Sequence, residues 1–388
     1  MKSTACPVCR TFRVDDFLHR RSVAVHQNLI VRERRGALNV QKGDLVLAVC
    51  RDCGFIFNRA YQKELLAYGK EYDNDQAGSP FFQEYLAELV EYFLLKKGLR
   101  GKRIIEIGCG NGLLLKKLCE RGSNSGLGLD PSYSGPEEMF GGRLKFERKF
   151  FRSGDSFLPA DAVICRHVIE HDPDPVALLV SARQAVAAAP RCEFFFETPG
   201  VEWILQNGAF WDFFYEHCSY FSQSSLATAF QLAGFHVEKS RRVFKDQYLW
   251  LEAGYPGQSD VEFSPHDVCI LAKGFSVREN SLIRDWDGRL DGLCSSGPVA
   301  LWGAGAKGVT FANLLDPACR RIRCVVDVNP NKQGGFIPGT GHPIISFRDL
   351  SKYDIATAIV MNSNYTEECR RMLREGGIAT TLVDIETP

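Results

Sequence analysis

The sequence predicts an α/β protein built on a seven-stranded Rossmann-like sheet, with a small metal-binding module before it and a second Rossmann-like domain after it. Three observations support this prediction. Segments typical of strands and helices alternate from Lys102 to Tyr255. Glycine-rich loops follow two of the predicted strands, one near Gly108 and one near Gly303. Two CxxC pairs lie in the N-terminal region.

The size and charge of the chain limit what it can be. A chain of 388 residues is too long for one ordinary core and predicts two or three domains. Lys and Arg together number 47, as do Asp and Glu, and this balance argues against a nucleic-acid partner. The N-terminus lacks the apolar core of a signal peptide, and no apolar run reaches membrane-spanning length. We therefore expect a cytoplasmic protein with no membrane partner.

Four cysteines form the two CxxC pairs. They are Cys6, Cys9, Cys50 and Cys53. Each pair can place two thiolates on one tetrahedral ion, and short strand-forming runs at Leu45–Val49 and Phe55–Phe57 are typical of a zinc ribbon. We therefore expect a structural Zn²⁺ in a module of residues 1–65. The alternative is a redox CxxC site, which requires one pair and not two. His19 and His26 are not included, because four thiolates already complete the shell.

A polar, tyrosine-rich segment, residues 61–79, follows the module and predicts a loop that contains Tyr72. Ser79 and Pro80 then have the pattern of an N-cap and a first-turn proline. Apolar residues recur at helical spacing from Phe81 to Leu94, which predicts a helix that leads into the first glycine-rich loop.

The first glycine-rich loop, GCGNG, follows the predicted strand Arg103–Gly108. Glycines let the backbone approach a ligand closely, and the N-terminus of the next helix favours negative charge. The next predicted strand, Ser125–Asp130, ends in an acid that can accept hydrogen bonds from both ribose hydroxyls of an adenosine. An acid two residues before GxGxG, here Glu106, resembles the class I S-adenosylmethionine-dependent methyltransferases, whereas dinucleotide sites prefer GxGxxG. The alternative is an ordinary strand-to-helix turn.

The remaining strands complete the predicted sheet. They are predicted at Leu144–Phe151, Asp161–Arg166, Cys192–Glu197, His236–Phe244 and Gln247–Gly254, the last two as an antiparallel hairpin. His167 follows the fourth strand at its carboxyl end, where ligands bind in open α/β sheets. Its side chain either contacts the methionine part of the cofactor or caps the next helix. The candidate cofactor-binding residues are Glu106, Gly108, Cys109, Gly110, Gly112, Asp130, Pro131 and His167.

An aromatic-rich segment, residues 197–226, separates the fifth strand from the hairpin. Its aromatic residues are Trp203, Phe210, Trp211, Phe213, Phe214, Tyr215, Tyr220 and Phe221. Glu216 and His217 lie inside this segment. Histidine titrates near neutral pH and aromatic walls exclude water, so the pair is a candidate for general-base chemistry. The alternative is plain packing against a neighbouring domain.

A second glycine-rich loop lies in the C-terminal region, after a polar linker at 256–267 and a helix predicted from Val268 to Leu293. It is a GxGxxG motif at Gly303, Gly305 and Gly308, between a strand predicted at Val299–Trp302 and a helix predicted at Val309–Leu315. Asp327 lies near the end of the next strand. A single βαβ half usually binds a mononucleotide. The alternative is a purely structural turn.

The order of these parts resembles one family, the sugar C-methyltransferases of deoxysugar and antibiotic biosynthesis, which act on nucleotide-linked 4-keto sugars. The resemblance implies a zinc-binding module (1–65), a class I methyltransferase domain (66–256) and a Rossmann-like nucleotide-sugar-binding domain (257–388). It also implies S-adenosylmethionine as cofactor, a structural Zn²⁺, and a small-molecule substrate bound between the second and third domains.

The resemblance further implies roles for individual residues. His217 matches the family's base and removes the proton beside the ketone, before the carbanion attacks the methyl group. Glu216 either orients the imidazole or meets the developing charge. The family's tyrosine falls on Phe214, and Tyr215 lies one place further along the chain. The candidate catalytic residues are His217, Glu216, Tyr72 and Tyr215. The candidate substrate-binding residues are Phe214, Gly303, Gly305, Lys307 and Asp327.

Three other functions remain open on the sequence. A small-molecule O- or N-methyltransferase also uses a histidine base, but it does not need a C-terminal nucleotide site. An RNA methyltransferase can carry a zinc module, but it predicts a basic surface that this composition does not favour. A non-catalytic protein that senses S-adenosylmethionine or a nucleotide is the alternative outside enzymes.

Overall fold

The structure, a computed structural model, describes most of the chain. The described residues are 4–386 without 67, 70, 156–158, 187–190 and 256–265. The linker predicted at 256–267 therefore lies outside the described residues, except for its last two positions. His266 and Asp267 already belong to the long helix that follows, so this helix begins before the predicted Val268.

A four-stranded antiparallel sheet contains most of the N-terminal region. Its N-terminal elements are β1 (Val14–Ala24), α1 (Arg34–Leu38), β2 (Lys42–Cys50) and β3 (Ile56–Asn58). The two predicted strand-forming runs lie in β2 and β3. Strand β1 was not predicted, because its sequence VDDFLHRRSVA lacks a regular apolar alternation. The fourth strand comes from the aromatic segment far along the chain.

A central sheet follows the prediction closely. The elements of this region are α2 (Pro80–Glu91), β4 (Arg103–Ile107), α3 (Leu113–Gly122), β5 (Ser125–Leu129), β6 (Glu138–Met139), β7 (Leu144–Glu147), β8 (Ala162–Arg166), α4 (Pro175–Ala185), β9 (Glu193–Pro199), α5 (Val201–Asn207), β10 (Ser219–Tyr220), α6 (Gln223–Leu232), β11 (His236–Val243) and β12 (Tyr248–Gly254). The strand order is β11-β12-β9-β8-β4-β5-β7-β6. The predicted α/β class and all seven predicted strands are confirmed, and the hairpin β11–β12 is antiparallel as expected.

Two details of this sheet differ from the prediction. The two-residue strand β6 pairs with β7 and adds an eighth strand at the edge. The strand predicted at Leu144–Phe151 ends at Glu147. Its neighbour β5 ends at Leu129, which pairs with Glu147, so the following residues have no further partner in the sheet. The predicted N-cap is present, since Ser79 Oγ accepts a hydrogen bond from the Phe82 amide.

A third, all-parallel sheet forms the second Rossmann-like unit, with strand order β15-β14-β13-β16-β17. Its elements are α7 (His266–Ser295), β13 (Val299–Trp302), α8 (Ala306–Leu315), β14 (Ile322–Val326), β15 (Ile344–Ile345), β16 (Thr357–Val360), α9 (Thr366–Gly376) and β17 (Thr381–Asp384). Short 3₁₀ turns lie at Lys63–Leu65, Ile169–His171, Phe210–Asp212, Phe347–Tyr353 and Ser363–Tyr365, and a π-helical turn, Tyr92–Lys96, extends α2.

Helix α7 joins the three regions. Arg20 of β1 donates hydrogen bonds to Glu279 of α7 at 2.7 Å and to the backbone oxygens of Phe210 and Phe213 at 2.8 and 2.9 Å. The Phe213 ring also lies edge-on to Phe275 of α7. Part of the aromatic segment therefore packs between domains, as the packing alternative expects. The division at 1–65, 66–256 and 257–388 stays a prediction.

Candidate active site

The first glycine-rich loop connects β4 to α3. Gly108, Gly110 and Gly112 all have positive φ angles, of +71°, +53° and +74°. A Cβ on Gly108 would lie 2.0 Å from the Val168 side chain, and one on Gly112 would lie 2.5 Å from the Phe146 ring. No side chain fits at these two positions, so glycine is required for both the backbone conformation and the close packing.

Asp130 lies directly after β5 and holds the loop. Its Oδ2 accepts a hydrogen bond from the Gly110 amide at 2.9 Å, and its Oδ1 accepts from the amide and hydroxyl of Ser132 at 2.7 and 2.6 Å. The carboxylate and the following Pro131 are only half-buried. The Asp130 carboxylate therefore lies at an accessible edge of the loop. The predicted contact with a ribose needs this access.

Glu106 and Cys109 are buried beside the same loop. Glu106 Oε2 has no hydrogen-bond partner among the described residues. Burial raises the pKa of Glu106 to about 8, and the Arg166 guanidinium opposes this shift. Burial also raises the pKa of the Cys109 thiol, so Cys109 acts as a packed neutral group. An orphaned buried carboxyl oxygen is costly and would be satisfied by a cationic or hydrogen-bond-donating ligand.

His167 does not cap the following helical turn, because Val168 occupies the N-cap position without a side-chain cap. Its Nδ1 lies 3.4 Å from Glu170 Oε1 and its Nε2 lies 3.0 Å from Glu197 Oε1. Burial opposes the charged imidazolium, but Glu170 and Glu197 outweigh it and raise the pKa of His167 to about 9. The ring also packs edge-on against Tyr248, with 4.5 Å between the ring centroids.

A cavity of about 300 Å³ opens between the central sheet and the third sheet. The predicted site residues that line it are Tyr72, His167, Phe214, Glu216, His217, Gly303, Gly305, Lys307 and Asp327. Lining residues that were not predicted include Asn28, Glu170, His171, Tyr248 and Lys332. The aromatic segment and the second glycine-rich loop, more than 80 residues apart in the chain, therefore face one space.

His217 presents a free imidazole to this cavity. Its ring contacts the rings of Phe214, His171 and Tyr220, with centroid distances of 4.2, 4.8 and 5.9 Å. Within the part of the chain that the structure describes, neither ring nitrogen of His217 has a hydrogen-bond partner. Burial and the neighbouring His171 hold the pKa of His217 well below its usual value. The ring is therefore neutral at physiological pH and can accept a proton.

Glu216 does not orient His217, contrary to the prediction. Its Oε1 accepts a hydrogen bond from the Gln27 amide at 2.7 Å, and its Oε2 accepts from the Tyr72 hydroxyl at 3.2 Å. His26 Nδ1 lies 3.6 Å from Oε1. Glu216 lies in a turn that directs its buried carboxylate towards the N-terminal region. Its structural effect is to hold Tyr72 at the cavity.

Tyr72 reaches the cavity as predicted, whereas Tyr215 does not. Burial and Glu216 raise the pKa of Tyr72 well above its usual value, so this hydroxyl stays protonated and donates. The Tyr215 hydroxyl accepts a hydrogen bond from the Gln62 amide at 2.8 Å, outside the cavity. Its ring covers Gly43, where a Cβ would lie 2.4 Å from Tyr215 Cε2. The prediction of Tyr215 as a catalytic residue is therefore wrong on geometric grounds.

The second glycine-rich loop is closely packed and is held by an aspartate, like the first. Gly303 has a φ of +124°, and a Cβ on Gly308 would lie 1.9 Å from the Gly303 carbonyl oxygen. Asp327 Oδ2 accepts a hydrogen bond from the Ala304 amide at 2.8 Å, as Asp130 does from the first loop. Helix α8 begins immediately after Gly305, so its N-terminal amides face the cavity.

Two lysines lie beside this loop in different surroundings. Lys307 Nζ lies 3.0 Å from Asp212 Oδ2 and 3.1 Å from Gln247 Oε1. Lys332, only 6% exposed, donates to Asn28 Oδ1 at 3.0 Å and to the Ala304 carbonyl oxygen at 3.3 Å. No carboxylate pairs with Lys332 among the described residues. A buried ammonium group with only neutral partners favours an anionic ligand.

The four predicted zinc ligands converge at one end of the N-terminal sheet. The Sγ atoms of Cys6 and Cys53 are 3.6 Å apart, and those of Cys9 and Cys50 are 3.5 Å apart. Thiolates bound to one tetrahedral Zn²⁺ stand about 3.8 Å apart, given Zn–S bonds of about 2.3 Å. All four cysteines are free thiols, so the donor set fits zinc. The predicted ligand set did not include His26, and this residue lies beside Glu216 and not beside the thiols.

Two protein families match this chain, and each match contains one of the two glycine-rich loops. Residues 80–240 match a family described as a methyltransferase domain, and residues 275–380 match one described as a C-methyltransferase C-terminal domain. The C-methyltransferase NovU of Streptomyces niveus is 25% identical over 364 residues, which cover 86% of this chain and 84% of NovU. The two family matches and the similarity to NovU together support an S-adenosylmethionine-dependent C-methyltransferase that resembles NovU.

Other relatives match a smaller share of this chain. The ubiquinone biosynthesis O-methyltransferase of Aeromonas salmonicida is 33% identical over 89 residues, 21% of this chain and 37% of that enzyme. The structure of the 1,6-didemethyltoxoflavin-N1-methyltransferase of Burkholderia thailandensis, with S-adenosylhomocysteine bound, is 18% identical and has a TM-score of 0.37. It covers 46% of this chain and 81% of that one. Among the described residues, no helix of the C-methyltransferase is long and apolar enough to cross a membrane.

Glu170 and His171 are two of the cavity residues that the sequence did not predict. They lie in the 3₁₀ turn after β8, three and four positions beyond His167. His171 Nδ1 lies 2.9 Å from the Glu216 backbone oxygen and 3.0 Å from the Tyr68 hydroxyl. The motif HVIEH carries the signal that could have found them, because a helical turn places positions three and four apart on one side.

Proposed function

We propose that this C-methyltransferase methylates the carbon beside the ketone of a nucleotide-linked 4-keto deoxysugar. One observation carries the proposal. His217, a neutral histidine without hydrogen-bond partners among the described residues, shares a cavity with a glycine-rich loop at a helix N-terminus and with the buried Lys332. The histidine suits proton abstraction from carbon, whereas the glycine-rich loop and Lys332 suit the binding of a nucleotide's phosphates.

The first glycine-rich loop suits S-adenosylmethionine. Gly110 has open space where a Cβ would stand, Asp130 offers a carboxylate for the ribose, and Glu106 offers an oxygen without a hydrogen-bond partner among the described residues. When bound, S-adenosylmethionine supplies an electrophilic methyl group. We place Cys109, Pro131 and His167 around this loop as positioning residues, with His167 held by Glu170 and Glu197.

His217 acts as the general base in this proposal. A ketone acidifies its α-hydrogen because the carbanion delocalises onto oxygen as an enolate. The low pKa of His217 keeps the imidazole unprotonated and ready to accept that hydrogen as a proton. The raised pKa of Tyr72 keeps its hydroxyl protonated, and this hydroxyl turns its one proton from Glu216 to the developing negative charge on the ketone oxygen. Glu216 positions Tyr72, and Phe214 forms the wall beside the imidazole.

The nucleotide lies against the third sheet in this proposal. The amides at the start of α8, after Gly303 and Gly305, form an anion site, and Lys332 adds a positive charge beside it. The Asp212 carboxylate neutralises the charge of Lys307, so Lys307 orders the cavity wall near Trp203. Asp327 fixes the glycine-rich loop through the Ala304 amide. The zinc module has a structural role, because four thiolates leave no open position on the ion.

The test offers the protein a panel of nucleotide-linked 4-keto sugars in deuterated buffer. It measures the exchange of carbon-bound hydrogen for deuterium, and the methylation of the sugar. With S-adenosylmethionine withheld, we expect deuterium to enter the carbon beside the ketone; with it supplied, one methyl group is added to carbon. His217→Asn should lose both reactions, whereas the matched variant of an exposed histidine, His19→Asn, should keep them. Carbon methylation by His217→Asn at the wild-type rate would exclude the base assignment, and transfer to oxygen would exclude the reaction class.

A further inference from the structure

We propose that the cavity contains a second metal site, formed by Glu170, His171 and His217, which binds a divalent transition metal such as Zn²⁺. One ligand atom from each side chain lies within 4.8 Å of the other two. Two imidazoles and one carboxylate are a ligand set that zinc and cobalt prefer, and it differs from the four thiolates of the N-terminal module.

His171 is already oriented as a metal ligand. Its Nδ1 lies 2.9 Å from the Glu216 backbone oxygen and 3.0 Å from the Tyr68 hydroxyl. The carbonyl oxygen only accepts hydrogen bonds, whereas the hydroxyl can also accept. A proton on Nδ1 therefore suits both contacts and leaves the lone pair on Nε2. Metal-bound histidines almost always donate their second nitrogen to a carbonyl or carboxylate in this way, which fixes the tautomer and the direction of the ring.

Glu170 supplies a buried negative charge. Its residue is only 1% exposed, and its Oε2 accepts a hydrogen bond from Thr198 Oγ1 at 3.0 Å. Among the described residues its Oε1 has no hydrogen-bond partner, although it lies 3.4 Å from the His167 Nδ1 with which it forms an ion pair. A buried oxygen in this state is costly, and a cation at the neighbouring imidazoles would satisfy it.

His217 completes the set, with its ring centroid 4.8 Å from that of His171. Among the described residues neither of its ring nitrogens is engaged, so a lone pair is available to an ion. Ligands around zinc at about 2.0–2.2 Å stand about 3.3–3.6 Å apart, so the ligand atoms, which lie within 4.8 Å of one another, must move closer together when the ion binds. Three protein ligands leave a fourth position open to the cavity, as in zinc sites that bind small molecules.

Binding of a metal to this site opposes the proposed methyl transfer. The lone pair of His217 that accepts the substrate proton is the same lone pair that binds the ion. Free Zn²⁺ therefore inhibits the enzyme, and removal of the ion by a chelator restores activity. This consequence rests on the proposed function, whereas the binding of the ion does not.

The binding test uses full-length protein whose four-cysteine site is already filled. We expect added Co²⁺ to bind once more per chain, with the weak visible absorption of nitrogen and oxygen ligands and without a new thiolate charge-transfer band. His171→Asn, in which the amide can keep the bond to the Glu216 oxygen, and Glu170→Gln should each bind this ion at least about tenfold more weakly. The matched variant His19→Asn should bind it normally. Absence of the additional ion in wild type, or unchanged affinity in both cavity variants, overturns the site.

The activity test separates this site from the proposed function. Zn²⁺ at saturation should abolish methylation by wild type, and a chelator that leaves the four-cysteine zinc in place should restore it. Binding of the additional ion with full methylation activity supports the metal site but contradicts His217 as the base. Inhibition that persists in His171→Asn at the wild-type Zn²⁺ concentration overturns the site, because the ion then acts elsewhere.

Discussion

Glu216 and His217 are neighbours in the chain, but their side chains have different partners. The Glu216 carboxylate accepts hydrogen bonds from Tyr72 and from the Gln27 amide, whereas the His217 ring faces His171 and Phe214. The pair is therefore not an acid–base dyad. Glu216 fixes the loop that carries Tyr72, and His217 remains unpaired in the cavity.

The first prediction concerns Tyr72. Tyr72→Phe removes the hydrogen bond to Glu216 and the proposed donor to the ketone oxygen, and the loss of one such donor costs about 10²-fold in kcat or more. We expect this fall in kcat with a small change in KM. Steady-state kinetics would show it, and Tyr353→Phe, at a tyrosine that does not line the cavity, serves as control. A change in KM alone would mean that Tyr72 only binds substrate.

The second prediction concerns pH. The folded pKa of His217 lies well below the usual value near 6.5 because of burial and His171, and the neutral ring is the active form. Activity is therefore retained as the pH falls through 6.5 and is lost only when the pH reaches the lowered pKa. The measurement is the pH profile of kcat/KM for wild type between pH 5 and 8.5. An acid limb centred near 6.5 would contradict an unpaired, buried base.

The third prediction concerns Lys332. Lys332→Met removes the buried charge beside the second glycine-rich loop. A charge-assisted hydrogen bond contributes about 1.5–3 kcal/mol, so KM for the nucleotide sugar should rise about 10- to 100-fold. KM for S-adenosylmethionine should not change, because Lys332 lies beside the other loop. Lys352→Met, at a side chain that is 76% exposed, is the matched control. Equal effects on both KM values would point to a general structural defect.

The fourth prediction concerns stability in the third sheet. Burial opposes ionisation of Asp316, but His342 and the amides of Arg320, Ile322 and Arg321 outweigh it and lower its pKa to about 2. Because the folded pKa is depressed, the stabilisation is present above the unfolded pKa of about 3.9 and is lost as the pH falls towards 2.

Asp316→Asn should therefore reduce the free energy of unfolding by roughly 2 kcal/mol at pH 7. The difference between variant and wild type should shrink as the pH falls from 5 to 3. Urea denaturation at several pH values measures this difference. The control Asp349→Asn, at a side chain that is 32% exposed, should not change the stability comparably. A difference for Asp316→Asn that is independent of pH would contradict the ionic origin.

The fifth prediction concerns the four-cysteine site. After mild chelation that empties the histidine site, metal analysis should find one zinc ion per chain. Cys53→Ser should lose this ion and unfold at lower temperature, because the thiolate cluster joins the start of the chain to the end of β2. Cys319→Ser, at a half-buried cysteine outside the cluster, should keep the zinc. A zinc-free wild-type protein would be incompatible with a structural metal.

The parts that are local in sequence could be predicted well. The glycine spacing around Gly108, the strand-ending Asp130 and the two CxxC pairs depend on neighbouring residues or on short loops, and the structure has them in the expected geometry. The seven strands of the central sheet also follow from local apolar runs. The strand β6 was not predicted, because its two residues are too few to show a periodic pattern of apolar residues.

The partners within the cavity could not be predicted in the same way. Tyr215 lies in the aromatic segment like Phe214, but only the packing of its ring over Gly43 takes it out of the cavity. Asn28, Glu170 and Lys332 come from three distant segments and meet only after folding. No spacing rule connects them, since each approaches the site on a different element.

The sequence alone therefore determined the chemistry that the chain can hold: a site that suits a methyl-donor cofactor, a four-thiolate metal cluster and a second nucleotide-type loop. Tertiary structure decided which side chains face one another. It separated Glu216 from His217, placed His217 beside His171, and brought Lys332 to the second loop. The physical reason is that motif geometry is a property of a few consecutive residues, whereas side-chain pairing depends on how whole elements pack.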